Sequence, residues 1–459
     1  MTLTSPVGIA SLEDKIAQHG GAVDMLRANP QSAFVFPVVP QEYTNWQDEQ
    51  RAARETVALN DMSHHMNELH LRGRDVIRFL SRYAVNNFAN FTVSRAKQLI
   101  VIAPDGRLIG DAIAFREDNE FVRIVGAPTA LDWLHFQSQQ KTFAVESTVE
   151  LNSAVVPGPR DVFRIQIQGP NTMDLWNEVV EGPVPDIKFF CVGEVTIAGR
   201  PVRALRHTMS GHAGFEIFGP WESKQAVLDR LVAAGENHGL VLVGMRGGPT
   251  LTLEGGWLAS PLPAIYDGDA TKGFRQWLTA ANFESFASLG GSFGSRDIGD
   301  YYVDPFEAGY GHVIDFSRDF LGRDALLERQ RSQTRRKVTL VWDTEDVLSV
   351  IRSVLTGERP GRMPEIPFTS FAAFIADRVE VGGRLVGLSR NQYGYSTNVK
   401  AFISLATIDV TQAEPGTQVD LMWGEADELN PTTPSHEIHR IGAVVAPSPY
   451  YEYYNKTRA

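Results

Sequence analysis

VGMRGGPTLTLEGGW, residues 243–257, is the stretch on which the reading of the fold turns. Thr250 and Thr252 alternate with Leu251 and Leu253, the period of a strand, and the run ends in one carboxylate, Glu254, before Gly255, Gly256 and Trp257. A strand that delivers an acid beside two glycines brings a polar anchor to a ligand and lets the backbone approach it closely.

Outward from this stretch the period of the apolar residues changes several times. Ser11-Leu-Glu-Asp14 reads as a capping box opening a helix to about residue 27. Residues 45–59 look helical, and 75–83 more clearly so, with Val76, Phe79, Leu80 and Tyr83 on one face. Residues 98–103, 108–115 and 121–126 then alternate as strands, separated by Pro104-Asp105-Gly106 and Asp118-Asn119, which are turn signals. A helix followed by an antiparallel meander is an α+β unit. Residues 141–160 read as a linker. Residues 162–168 follow as a half-buried strand, Phe163, Ile165 and Ile167 against Arg164, Gln166 and Gln168, with Gly169-Pro170 starting a helix after it. Short strands at 202–205 and 215–218 and a helix at 221–234 complete this part. The proline-rich 356–367 marks another boundary, and 384–445 is strands and turns, as in a small β-barrel or sandwich.

Composition bounds the function. A chain of 459 residues has room for about two to four domains. With 43% hydrophobic and 21% charged residues it reads as globular rather than disordered. A net charge of −12 argues against a general surface for nucleic acid or anionic membrane. The single cysteine, Cys191, excludes an intramolecular disulfide framework and fits a reducing compartment. The N-terminus lacks the layout of a signal peptide, and no apolar run approaches about 18 residues. A soluble, cytoplasmic protein is expected, monomeric or a small homo-oligomer.

Standard catalytic signatures are missing: no GxSxG, P-loop, CxxC or HExxH occurs, and Gly290–Gly294 lacks the context of a dinucleotide fingerprint. His64, His65 and His70 read as core or ligand-lining residues rather than metal ligands, and no metal is expected. By alternation Asp111 shares a face with Ile109, Ile113 and Phe115, where a carboxylate must find a donor or raise its pKa. The alternative is a bulge at Gly110 that turns Asp111 to solvent. Arg123, beside Phe121 and Val125, is the matching cation or else a half-exposed strand arginine. Asp111, Arg123, Gln166, Glu216 and Glu254 lie near strand ends among rings such as Tyr43, Trp257 and Phe293. Such a set suits a flat heterocycle with donor edges and an anionic second ligand.

Several motifs, in order, resemble the aminomethyltransferase (glycine-cleavage T-protein) family. They are DMSHHMNELHL (61–71), PDGRLIGDAI (104–113), IQGP (167–170), GFEI (214–217), the run 244–255, and GYG (309–311) through DFLGR (319–323). Within that family QEYTNWQDEQRA (41–52), SHHM (63–66), LEGGWLASPLPAIY (253–266), GGSF (290–293) and MWGE (422–425) are most similar to tetrahydrofolate-dependent aryl O-demethylases acting on vanillate, syringate and related methoxybenzoates. The resemblance implies an α+β, three-domain cloverleaf around a folate pocket. Residues 1–60 and 155–250 would form a split first, folate-binding domain. Residues 61–154 and 251–330 would form a second α+β domain, and 335–459 a C-terminal β-barrel.

It also implies roles. Asp111 would stand at the reacting end of the pterin and Glu254 would grip its aminopyrimidine edge. Glu216, Gln166 and Trp257 would line the same site. Arg123 would hold the benzoate carboxylate, with Tyr43 and His64 or His65 lining the aryl pocket and supplying the acid for the leaving oxygen. The chemistry implied is methyl transfer from an aryl ether to N5 of tetrahydrofolate. This chain departs from the vanillate type at Gly247-Gly248-Pro249, where that group carries a tyrosine-bearing segment. Ortho-methoxy, chlorinated and 3-O-methylgallate-like substrates therefore stay open beside vanillate and syringate. Two further readings keep the fold: another methyl donor, such as dimethylsulfoniopropionate or a methylamine or aminomethyl compound, and a folate-binding protein without catalysis.

Overall fold

A computed structural model describes residues 10–33, 35–259, 261–357, 359–367, 370–426 and 436–458. Two sheets and a barrel organise them. The first sheet has six strands in the order Leu240–Val243, Val57–Asp61, Val162–Gln168, Gly214–Pro220, Arg200–Arg206 and Val192–Ile197. Only its first pair is parallel. Phe163, Ile165 and Ile167 point to one face and pack under the helices Thr172–Val179 and Lys224–Gly235. Trp176 stacks on Phe215 with ring centroids 4.0 Å apart. The opposite face, Arg164, Gln166 and Gln168, was expected to be half-exposed but is buried as well, because it looks into the centre of the molecule. Gly169, at φ +139°, starts the turn after this strand, where a Cβ would collide with the Thr56 carbonyl.

The second sheet is antiparallel, in the order Ala96–Ile102, Leu108–Arg116, Phe121–Gly126, Asn67–Arg72 and Glu146–Glu150. The last strand lies inside the segment expected to be a linker; its residues are only half-buried, so its apolar signal is weak. The helices Val76–Tyr83 and Pro128–Gln139 cover one face of the sheet. The capping box at Ser11 forms as expected, but the helix stops at Gln18, and a second, Ala22–Ala28, begins after Gly20 and Gly21, both with positive φ. Leu12, Val23, Met25 and Leu26 pack into the core of this second sheet, whereas the resemblance implies grouping residues 1–60 with 155–250.

The barrel is closed by six strands: Arg335–Trp342, Ala401–Asp409, Arg384–Ser396, Asp377–Val381, Gln418–Trp423 and His439–Ala446. Trp342, Tyr393 and Trp423 fill it, the first two stacked at 5.8 Å. The GGSF and MWGE motifs meet beside it in a charged joint. Gly291 N donates to Glu425 Oε2 at 2.6 Å and Ser292 N to Asp377 Oδ1 at 3.0 Å. Arg362 bonds both acids, at 2.7 and 3.1 Å, and Arg27 donates to the Phe293 carbonyl at 2.7 Å.

The deciding stretch differs from expectation. The strand ends at Val243, and Gly248–Glu254 is a helix. Pro249 sits in its first turn, where a fixed φ suits a helix and the missing N–H costs nothing. The hydroxyls of Thr250 and Thr252, which simulate strand alternation in the sequence, bond back to the carbonyls of Gly247 and Pro249, both at 2.6 Å. Likewise the helix expected over 45–59 is Trp46–Glu55, because Val57–Asp61 pairs on both edges as a strand.

Candidate active site

The inner faces of both sheets and one side of the barrel enclose a cavity of about 720 Å³. Asp111 reaches it through a register shift. Val101 pairs with Gly110 and Ile102 with Leu108, so Ile109 is an extra residue in its strand and turns into the core with Ala112 and Ala114. Asp111, Ile113 and Phe115 then face the cavity, not bulk solvent.

Three donors converge on Asp111 Oδ2: Gln98 Nε2 at 2.9 Å, Trp257 Nε1 at 3.1 Å and the Tyr310 hydroxyl at 3.1 Å. Trp257 Nε1 also lies 2.8 Å from the Tyr310 oxygen. None of these donors engages Oδ1. Burial pushes the Asp111 carboxyl above its ordinary range, and the three donors oppose that rise. The neighbouring Tyr310 phenol is pushed well up by burial and by the Asp111 charge.

On the facing sheet, Asn60, Gln166 and Glu216 stand in register on three adjacent strands and form a polar row along the cavity wall. Glu216 accepts from Arg164 Nη1 at 2.7 Å, and Arg164 Nε donates to Glu68 at 2.8 Å. Asn60 Oδ1, Arg164 Nη2 and His207 Nδ1 are buried with no hydrogen-bond partner, and all three residues line the cavity. Burial lowers the His207 pKa, so its imidazole is neutral. His65 also lines the cavity, and burial lowers its pKa to about 4. A wall that leaves buried donors and acceptors unfilled is built for a ligand with complementary edges.

Asp111, Gln166, Glu216, Trp257 and His65 thus come together. Four other expected residues do not line the cavity. Glu254 is fully buried behind it, holding Arg54 Nε at 3.1 Å, Ser396 Oγ at 2.5 Å and Asn398 Nδ2 at 2.9 Å. Its helix turns it toward the barrel, which corrects its expected place against a ligand. Arg123 is corrected too: Glu68 and Glu117 both bond its guanidinium, and His70 Nε2 lies 3.0 Å away. With two carboxylates already on it, it has no charge to spare for a third. His64 is buried between Ser153 Oγ at 2.8 Å and Lys224 Nζ at 3.0 Å. Tyr43 lies half-exposed outside the lining. Glu68, His70 and Glu150 bring one ligand atom each within 4.8 Å, but Arg123, Arg164 and Arg160 already bond the two acids.

Sequence reasoning missed Gln98, Asn60, His207, Tyr310 and Lys337. Tyr310 sits in the GYG motif, and Gln98 lies two residues along the strand from Asp111's partner Ile100, on the same face. The others carry no sequence signal of their own.

Residues 18–261 match the family model described as GCVT N-terminal domain. The chain belongs to the glycine-cleavage T-protein (GCVT) family. It is 39% identical over 444 residues to a syringate O-demethylase of Sphingobium sp., with 96% of each chain covered. It is 27% identical to a sesamin methylene transferase of Sinomonas sp., with 92% of each covered. Its fold matches the glycine cleavage system aminomethyltransferase T from Bartonella henselae with a TM-score of 0.61 at 15% identity, over 91% of this chain and 94% of that one. The T-protein fold, with a closed C-terminal barrel, is therefore this chain's fold, and the chain is an enzyme of the methyl-transferring kind. No helix among the described residues is long and apolar enough to cross a membrane.

Proposed function

We propose that this T-protein-family enzyme is a tetrahydrofolate-dependent aryl O-demethylase, moving the methyl group of a methoxybenzoate to N5 of tetrahydrofolate in the cytoplasm. The observation that carries the proposal is Asp111: one oxygen locked by three donors, the other free of them, in a cavity whose opposite wall has unfilled polar atoms. The chemistry of those atoms fits a pterin. Glu216 and Gln166 accept from an aminopyrimidine edge, and Asn60, Arg164 and His207 complement its ring nitrogens and carbonyl.

When bound, tetrahydrofolate supplies the amine that takes the methyl group. Asp111, raised in pKa by burial, accepts at Oδ1 the proton that this amine sheds. His65 stays neutral at working pH and donates an N–H to the departing aryl oxygen, where negative charge develops. Ile113, Phe115, Val125 and Phe190 line the cavity and exclude water. Holding amine, methyl carbon and aryl oxygen in line is a positioning task, and such orientation is worth roughly 7–11 kcal/mol.

The syringate-type ring, with a methoxy group on each side of its hydroxyl, is our choice of substrate. A Cβ at Gly248 would meet only Asn60 Nδ2, at 3.9 Å, so this position leaves open space where the vanillate-type segment carries a tyrosine. That space seats the second methoxy group. The test incubates the protein with tetrahydrofolate and, in turn, syringate, vanillate, other methoxybenzoates, dimethylsulfoniopropionate and methylamines, and reads 5-methyl-tetrahydrofolate by mass. Product with syringate is expected. Product only with a sulfonium or amine donor, or folate binding with no product from any donor, sinks the proposal.

A further inference from the structure

We propose that Lys337, on the first barrel strand, receives the carboxylate of the aromatic substrate; this rests on the O-demethylase reading above. A benzoate buried in the cavity needs a cation, and Arg123, the natural candidate from sequence, is consumed by Glu68 and Glu117. Among the described residues three lysines or arginines line the cavity: Arg54, Arg164 and Lys337. Arg54 is paired with Glu254, and Arg164 with Glu68 and Glu216. Lys337 has no carboxylate oxygen within 4.0 Å among the described residues. Its one hydrogen bond among the described residues is to the Gly256 carbonyl, at 2.6 Å, which leaves two of its three N–H donors for a ligand.

The position is right for a substrate group. Gly256 precedes Trp257, whose indole reaches Asp111, so the ammonium stands one residue from the scaffold of the reacting acid. The Asp111 charge also acts on this ammonium, so the two groups share one end of the cavity. The glutamate carboxylates of folate lie beyond the whole p-aminobenzoyl unit from N5, too far along the molecule for this cation. Room is also provided: Gly309, at φ +91°, lines the cavity, and a Cβ there would sit 3.1 Å from Nζ. Burial lowers the lysine to about pH 8, with the Asp111 charge opposing, as for a buried cation awaiting its counter-ion.

The experiment titrates the full-length protein calorimetrically with syringate, with methyl syringate and with tetrahydrofolate, in the wild type and in K337M and K337Q. K337Q keeps a donor for the Gly256 carbonyl and removes only the charge. Loss of a charge-assisted bond weakens syringate binding by about tenfold to a hundredfold in both variants. Methyl syringate and tetrahydrofolate binding are expected to stay as in the wild type. Equal losses for acid and ester would make Lys337 a brace for Gly256 and overturn the assignment. A loss confined to tetrahydrofolate would give the site to the folate glutamate, and no change in any arm would leave Lys337 without a binding role; each result rejects the proposal. Failure of the wild type to bind syringate in either form refutes the substrate reading itself, a result distinct from failure of the Lys337 variants alone.

Discussion

At the joint beside the barrel, Arg27, Arg362, Asp377 and Glu425 are all buried or nearly so, and all four carboxylate oxygens find a donor within the chain, while Arg27 Nε and Arg362 Nε are left without a partner. On the cavity wall Arg164 likewise keeps an unpartnered nitrogen, but here the acid differs: Asp111 keeps one oxygen free of side-chain donors, and Asn60 Oδ1 and His207 Nδ1 are buried without partners on the same cavity. A buried charge that the chain satisfies serves assembly. One that it leaves short costs folding energy unless a ligand completes it. For the carboxylates this difference separates GGSF and MWGE, motifs that carry the same resemblance as the active-site residues, from the site itself.

Breaking the comparison at the cavity gives the largest effect. Asp111→Asn keeps the shape and the bonds to Trp257 and Tyr310 but removes the proton acceptor, so turnover should fall by about a hundredfold to ten-thousandfold. Thermal stability should hold or rise, because a carboxylate whose burial is unfavourable has gone. Steady-state kinetics and calorimetric melting read both. A variant that melts much earlier and keeps its kcat would move Asp111 to the structural side. The joint should respond the other way. Arg362→Met strands Asp377 and Glu425 and should cost about 3–5 kcal/mol of unfolding free energy, with kcat per folded molecule unchanged. A denaturant titration checks the first and active-site-normalised rates the second.

Part of this division was legible in the sequence and part was not. The meander and the strand Val162–Gln168 could be read because each alternates strictly between clear turn signals. Asp111 could be read because a carboxylate on an apolar face is anomalous wherever it ends. Residues 250–253 misled because Thr and Leu alternate at a period of two while Pro249 and the threonine back-bonds fix a helix. Arg123 and Glu254 misled for another reason. A sequence displays a charge but not its partner, and Glu68 lies 55 residues from Arg123, Arg54 200 from Glu254. Lys337 was invisible because nothing local distinguishes an unpaired barrel lysine from a surface one.

A smaller effect sharpens the contrast between two acids that share an expected folate role. Glu216→Gln should weaken tetrahydrofolate binding by about tenfold, since a charge-assisted acceptor on the cavity wall is replaced by a neutral one. Glu254→Gln should leave that affinity intact and lower stability by roughly 1–3 kcal/mol through its lost bond to Arg54. Equilibrium dialysis with tetrahydrofolate compares them. The reverse ranking would return Glu254 to the ligand.

The smallest effect tests a buried site away from the cavity surface. Glu284 is fully buried with no hydrogen-bond partner on either carboxylate oxygen, and Asp132 beside it has only a 3.5 Å contact from Asn282. Burial raises both acids, and for Glu284 the Asp132 charge adds to the rise. The folded protein therefore keeps protons that the unfolded chain releases. Stability from this pair is present below the unfolded carboxylate range of about 4 and is lost as pH climbs through the raised folded values. Glu284→Gln mimics the protonated form at every pH. Its stability advantage over the wild type should be near zero at about pH 4 and grow to about 1 kcal/mol or more by about pH 9. Chemical denaturation across that range measures the gap. A gap that stays constant, or that widens toward acid, would mean that the pair is charged in the fold and matched by donors, and would move it to the satisfied side of the division.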